Sequence, residues 1–119
     1  PYGAAKSFAV NITRVYREAF GMFACTAICY NHESERRSPS FVTRKISRAV
    51  AAIAAGGGET LKLGNLDVWR DWGYAPEYVD AMWRMLQADQ PEDLIVATGV
   101  LTSLEQFLDA AFAHAGLSW

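Results

Sequence analysis

The stretch MFACTAICYNHESERR, Met22 to Arg37, passes from an apolar run into a dense group of charges within a single residue. Met22 to Tyr30 is apolar on both faces and short. That pattern predicts a strand in a parallel sheet covered on both sides. Asn31, His32, Glu33, Ser34, Glu35, Arg36 and Arg37 are then expected to form a loop. Most charge runs are solvated turns. Charge directly past a buried parallel strand, however, lies where α/β sheets build ligand sites. Arginine also suits phosphate, because its rigid donor fork pairs with two oxygens.

Working outward, Phe8, Ile12, Val15, Tyr16, Ala19 and Phe20 recur at helical spacing and predict a helix from about Gly3 to Phe20, stopped by Gly21. Ser40 is placed to cap a second helix, about Phe41 to Ala55, ending at Gly56-Gly57-Gly58. TLKL, Thr60 to Leu63, reads as a short strand, and GNLDVWRDWGY, Gly64 to Tyr74, as an irregular loop with room for a brief strand. Pro76 suits the first residue of a helix reaching about Ala88, with Val79, Met82, Trp83 and Leu86 on its apolar face. DLIVATG, Asp93 to Gly99, is another strand. Thr102 and Glu105 have capping-box spacing ahead of a last helix bearing Leu104, Phe107, Leu108, Ala111 and Phe112, which Gly116 ends. Helices alternating with short apolar strands indicate an α/β layered fold.

Composition excludes several classes. The chain has 119 residues, 51% hydrophobic and 20% charged, with a net charge of −2. A slightly acidic chain argues against a broad nucleic-acid surface. No apolar run approaches the ~18 residues of a membrane span, and no secretory signal is evident. On one strand Cys25 and Cys29 would stand roughly 13 Å apart, too far for a disulfide. They read as small buried apolar side chains in a reducing, cytoplasmic setting. Nothing has zinc-ligand spacing, so no metal is expected.

Two groups of residues point to chemistry. In PYGAAK, Tyr2 and Lys6 lie one helical turn apart. An ammonium beside a phenol favours the phenolate, which suits Tyr2 to acid/base work on a hydroxyl. Alone the pair is weak, since surface snorkelling explains most such spacings. In GNLDVWRDWGY, Arg70 and Asp71 sit between Trp69 and Trp72. They form either a surface ion pair under indoles or an arginine aimed at a phosphate. Arg44 and Lys45, at the start of the second helix, could join such a site, where a helix N-terminus adds attraction for anions.

The helix with PYGAAK, the buried strand and the polar loop together resemble the extended short-chain dehydrogenase/reductase family. Adding NHESERR, FVTRKISRAV, LGNLDVWRDWGYAPEYVDAMWRMLQ and PEDLIVATG makes the whole chain similar to the GDP-mannose 4,6-dehydratases of that family. The resemblance implies the C-terminal part of a Rossmann-like parallel sheet plus part of the small substrate-binding region, as one partial domain. Residues 1–40 would carry the catalytic helix, strand and loop, and residues 41–119 the substrate-binding region with a returning strand.

The resemblance also implies roles. Tyr2 matches the catalytic tyrosine and Lys6 the cofactor-binding lysine. His32, Arg37 and Arg36 match positions at NADP, and the arginine-rich loop also reaches toward a neighbouring subunit's cofactor in tetrameric members. Asn31, Glu33, Lys45 and Arg70 match positions on the GDP-mannose side. The implied reaction is oxidation at the sugar C4, loss of water across C5 and C6, and hydride return to C6, giving GDP-4-keto-6-deoxymannose. A homo-oligomer and the NADP cofactor are implied with it, and no nucleic acid or membrane partner.

Some features depart from the pattern. Gly56 to Gly58 follows a helix instead of joining a strand to a helix, so it is no phosphate cradle. Val68-Trp69, Tyr74 and Ser38-Pro39-Ser40 stand where other residue types are expected. The chain is expected to be a portion of an enzyme, inactive alone. Another nucleotide-sugar epimerase or reductase, and a non-catalytic oligomerisation or GDP-binding module, are the alternatives.

Overall fold

Every residue of the first helix stays at least partly exposed. A computed structural model of the chain describes residues 1–58 and 60–119. Helix α1 (Tyr2–Phe20) ends where Gly21 turns left-handed at φ 63°, as the sequence predicts. Several of its apolar residues face outward, Phe8 and Phe20 at 67% and 68% exposed, while Val10 and Ile12 are half-buried. The radius of gyration is 18.5 Å and the extents are 59 × 30 × 22 Å. A compact chain of this length would have a radius near ~13.5 Å.

The fold is α/β with parallel strands. Strand β1 (Ala27–Cys29) pairs in parallel with β5 (Leu94–Val96), Ile28 opposite Ile95. Strand β2 (Asn31–Glu33) pairs in parallel with β4 (Trp72–Tyr74), His32 opposite Gly73. Strand β3 (Trp69–Arg70) runs antiparallel to β6 (Thr102–Ser103).

The expected strand over Met22 to Tyr30 is shorter, because Met22 to Thr26 makes no ladder, and the start of the expected polar loop is itself a strand. Ile28 and Ile95 remain 45% and 63% exposed, so the β1–β5 pair is not covered on both faces. Thr60 to Leu63 forms no strand: Leu61 and Leu63 pack on the core instead, and the Lys62 carbonyl accepts a hydrogen bond from Lys45. Cys25 and Cys29 are free and only half-buried.

The core lies between α2 (Val42–Ala54) and α4 (Leu104–His114). Ile46 and Val50 on one helix meet Leu104, Leu108 and Phe112 on the other, the i, i+4 spacing that gives each a single apolar face. Phe41, not Ser40, is the residue before α2, and it makes no side-chain cap. The capping box of α4 falls one residue later than the sequence suggests: Ser103 Oγ accepts from the Gln106 amide, and Gln106 Oε1 accepts from the Ser103 amide. Helix α3 (Ala75–Met85) carries Pro76 in its first turn but buries Tyr78 and Met85. Val79, Trp83 and Leu86, expected inside, are 56–62% exposed. Among the described residues no helix is long and apolar enough to cross a membrane.

Candidate active site

The start of α1, the β1–β2 junction and the β3–β4 junction meet around an open cleft of about 970 Å³. Tyr2, Lys6, Asn31, His32, Arg37 and Arg70, each singled out from the sequence, line it together. Helical spacing carries Lys6 Nζ over the Tyr2 ring, 5.5 Å from its centroid. That places a cation against the π face of the phenol.

His32 is held on two sides. Its Nδ1 lies 2.9 Å from the Tyr30 carbonyl oxygen, and its ring lies 5.1 Å from that of Tyr78. In the neutral ring this makes Nδ1 the protonated nitrogen, because a carbonyl oxygen can only accept. Nε2 is then left as an acceptor. Arg37 is fixed as well: its guanidinium carbon is 3.7 Å from the Phe41 ring centroid, and its Nε is 3.1 Å from Glu33 Oε2. The Arg37–Glu33 contact is close but poorly aligned for a hydrogen bond, so its attraction is Coulombic.

Four residues are not brought to this cleft: Glu33, Lys45, Arg36 and Arg44, the last of which lines a neighbouring cavity of about 500 Å³. Glu33 turns away to accept from Thr43 Oγ1 at 2.7 Å, and it lines neighbouring cavities of about 500 and 160 Å³. Its carboxylate is already engaged by Thr43 and Arg37, which makes it a holder of the loop. Lys45 points across α2 to the Lys62 carbonyl, in a separate cavity of about 460 Å³. Arg36 is exposed, its amide bonded to Ser34 Oγ, and it borders none of these cavities. Arg70 instead reaches both the main cleft and the 160 Å³ cavity that Asn31 also lines.

Sequence reasoning missed the part that braces the cleft. Asp71, 5% exposed, accepts from the Thr98 amide (3.0 Å), the Thr98 hydroxyl (2.7 Å) and the Gly99 amide (2.8 Å). Burial alone would raise its carboxyl pKa. The hydrogen bonds from Thr98 and Gly99 outweigh that and hold it below the usual value. It ties the strand of Arg70 to the turn after β5. Its only signal in sequence is a short acidic residue between aromatics, which also fits a surface pair. Tyr78 was equally unmarked; burial, then the nearby Asp71, Cys29 and Glu77, raises its pKa.

The fold is shared with several solved structures. RMD from Pseudomonas aeruginosa complexed with NADPH superposes with a TM-score of 0.93 at 22% identity, covering 99% of this chain and 40% of that one. UDP-glucose 4-epimerase from Thermotoga maritima with UDP-glucose gives 0.84 at 20% identity, covering 100% and 38%. dTDP-glucose 4,6-dehydratase from Bacillus anthracis in complex with NAD gives 0.83 at 18%, covering 99% and 37%. These likenesses show the fold that the chain shares with them, a mixed α/β architecture with parallel strands.

Sequence narrows it further. The family described as GDP-mannose 4,6 dehydratase matches residues 1–119. The chain is 54% identical over 116 residues to GDP-mannose 4,6 dehydratase of Homo sapiens, covering 98% of this chain and 31% of that protein. It is 54% identical over 118 residues to the Sinorhizobium fredii (strain HH103) GDP-mannose 4,6-dehydratase, covering 99% and 34%. This chain belongs to the GDP-mannose 4,6-dehydratase family. It spans about a third of the length of the curated relatives it matches.

Proposed function

We propose that the chain is the segment of a cytoplasmic GDP-mannose 4,6-dehydratase that supplies its proton-transfer pair and much of its ligand cleft. The observation that carries this is the convergence of Tyr2, Lys6, Asn31, His32, Arg37 and Arg70 on one cavity. The overall reaction removes one water from GDP-mannose to give GDP-4-keto-6-deoxymannose, so the sugar's oxidation and reduction cancel.

The residues fit an anionic dinucleotide. Lys6, Arg37 and Arg70 place three cations on the cleft, and two of them are held before any ligand arrives: Arg37 by Phe41 and Glu33, Arg70 by its bond from Nη1 to the Trp69 carbonyl (2.7 Å). NADP would be held on this cleft by Lys6, His32 and Arg37 and would supply the chemistry of accepting and returning a hydride. Tyr2 takes the proton from the sugar hydroxyl, and Lys6 stabilises the phenolate. His32 and Arg37 hold the cofactor, while Arg36, outside this cleft, serves a neighbouring subunit's cofactor. Asn31 and Arg70 hold the diphosphate side of the substrate, and Glu33 acts by holding Arg37 and the loop in place on the cofactor side. The outward apolar residues of α1 support assembly with further polypeptide, including further copies of the enzyme. The tyrosine pair and the cations need that surrounding chain, and the segment alone is expected to be inactive.

The test uses the full-length enzyme that contains this segment. Arg70→Ala should weaken GDP-mannose binding by about 1.5–3 kcal/mol, the value of a charge-assisted contact, and NADP binding much less. Tyr2→Phe should cut turnover and leave cofactor affinity nearly intact. Equal weakening of both ligands by Arg70→Ala refutes the assignment.

A further inference from the structure

The paired strands β2 and β4 set His32 directly opposite Gly73. Opposed residues of a parallel pair project to the same face. Gly73 therefore leaves a gap beside the imidazole, and the Tyr78 ring from α3 fills it. A Cβ at Gly73 would stand 2.3 Å from Tyr78 Cε2 and 2.8 Å from its hydroxyl oxygen. No side chain fits there while the ring stays. Tyr78 is only 3% exposed and lies with its ring tilted 32° to that of His32. Its hydroxyl is buried with no hydrogen-bond partner among the described residues. A tyrosine kept for its hydroxyl would pair that group, since an unpaired buried polar atom is costly. The ring is the working part.

We infer that Tyr78, seated over Gly73, is a positioning residue for His32. It backs one face of the imidazole while the Tyr30 carbonyl fixes the Nδ1–H tautomer, so that Nε2 meets the ligand in one orientation. The inference rests on the proposal that His32 contacts the cofactor.

The experiment measures NADPH and GDP-mannose affinities of the full-length enzyme. Variants are His32→Ala, Tyr78→Leu, Gly73→Ala and Tyr78→Phe, together with the doubles His32→Ala/Tyr78→Leu and His32→Ala/Gly73→Ala. Loss of an aromatic pairing predicts roughly 3- to 10-fold weaker NADPH binding for Tyr78→Leu and for Gly73→Ala, with GDP-mannose affinity unchanged. Tyr78→Phe keeps the ring and should bind NADPH like the native enzyme. Each double should be no weaker than His32→Ala alone, because the second change acts through a ring already removed. Additive losses in the doubles overturn the positioning role and leave the reading of the cleft intact. So does a Tyr78→Phe loss as large as that of Tyr78→Leu. An unchanged NADPH affinity in His32→Ala overturns both. Gly73→Ala keeps the inference testable if Tyr78→Leu fails to fold.

Discussion

Asp93→Asn isolates the tether between α1 and the β1–β5 pair. Asp93 Oδ1 accepts from the Thr26 amide at 2.7 Å and from Arg17 Nη1 at 2.9 Å, while Oδ2 accepts from Arg17 Nη2 at 2.9 Å. Arg17 Nη1 also donates to the Ala24 carbonyl at 3.0 Å. The hydrogen bond from Arg17, supported by the Thr26 amide and opposed by partial burial, lowers the Asp93 carboxyl to about 2 from 3.8. Nearly two pKa units correspond to about 2.4 kcal/mol at ~1.36 kcal/mol each. The Asp93 side chain is 28% exposed, so solvent screening reduces the expected contribution to about 1 kcal/mol.

The sign follows from the lowered folded-state value. The contribution is complete well above pH 3.8 and is lost as pH falls toward 2, with about half remaining at pH 3. Asparagine keeps the volume and the bond to Thr26 but sets an amide donor against Arg17 Nη2. Urea unfolding of the full-length enzyme, native against Asp93→Asn, should show a deficit of about 1 kcal/mol at pH 7 that shrinks by about half at pH 3. The tether is also mechanical. Arg17 lies about 22 Å along the helix from Tyr2, so a tilt of roughly 5° at the tether moves the phenol by about 2 Å. Turnover should therefore fall more than ligand affinity. The same deficit at both pH values, or none at pH 7, would refute the reasoning.

Ser103→Ala removes the hydroxyl half of the α4 capping box and should lower stability by about 1 kcal/mol, with Ser103→Thr largely restoring it, as read by denaturant midpoint. Glu33→Gln keeps an acceptor for Thr43 but abolishes the charge facing Arg37. It should cost up to about 1 kcal/mol at low salt, and the loss should shrink in 1 M NaCl, as melting curves at the two salt concentrations would show.

The helices were legible where sequence alone fixes their ends and faces. Gly21 and Gly116 take positive φ at the predicted stops, and the Leu104–Leu108–Phe112 stripe is buried as its spacing requires. The three-residue strands were not. Asn31, His32 and Glu33 are polar and show no period-two alternation; they form a strand because β4 lies beside them. Short strands of this kind are defined by pairing, which propensity does not record. The inner face of α3 was misread because Val79, Trp83 and Leu86 outweigh Tyr78 and Met85 on any hydrophobicity count. The gap at Gly73 nevertheless draws the tyrosine inward. Tyr2, Lys6, Asn31, His32, Arg37 and Arg70 could be gathered from motif resemblance. Lys45 could not be placed by the same route, since its long side chain lies across the α2 surface to Lys62.

The shape of the chain explains why its cleft is open. The buried cluster of Ile46, Val50, Leu104, Leu108 and Phe112 fixes α2 against α4, on the Arg70 side. Among the described residues no buried cluster of that kind holds the Tyr2 side, where the Arg17–Asp93 pair ties α1 to the rest while Phe8 and Phe20 face outward. Parallel strands with Ile28, Leu94 and Ile95 44–63% exposed need covering layers, because each residue presents apolar area that water disfavours. The two walls of the cleft therefore differ in kind. The Arg70 wall is set by a local core and by the three bonds accepted by Asp71, whereas the position of Tyr2 depends on whatever surface covers α1 and the β1–β5 pair. Substitutions in the α2–α4 core should accordingly act first on substrate binding, and substitutions along α1 first on turnover.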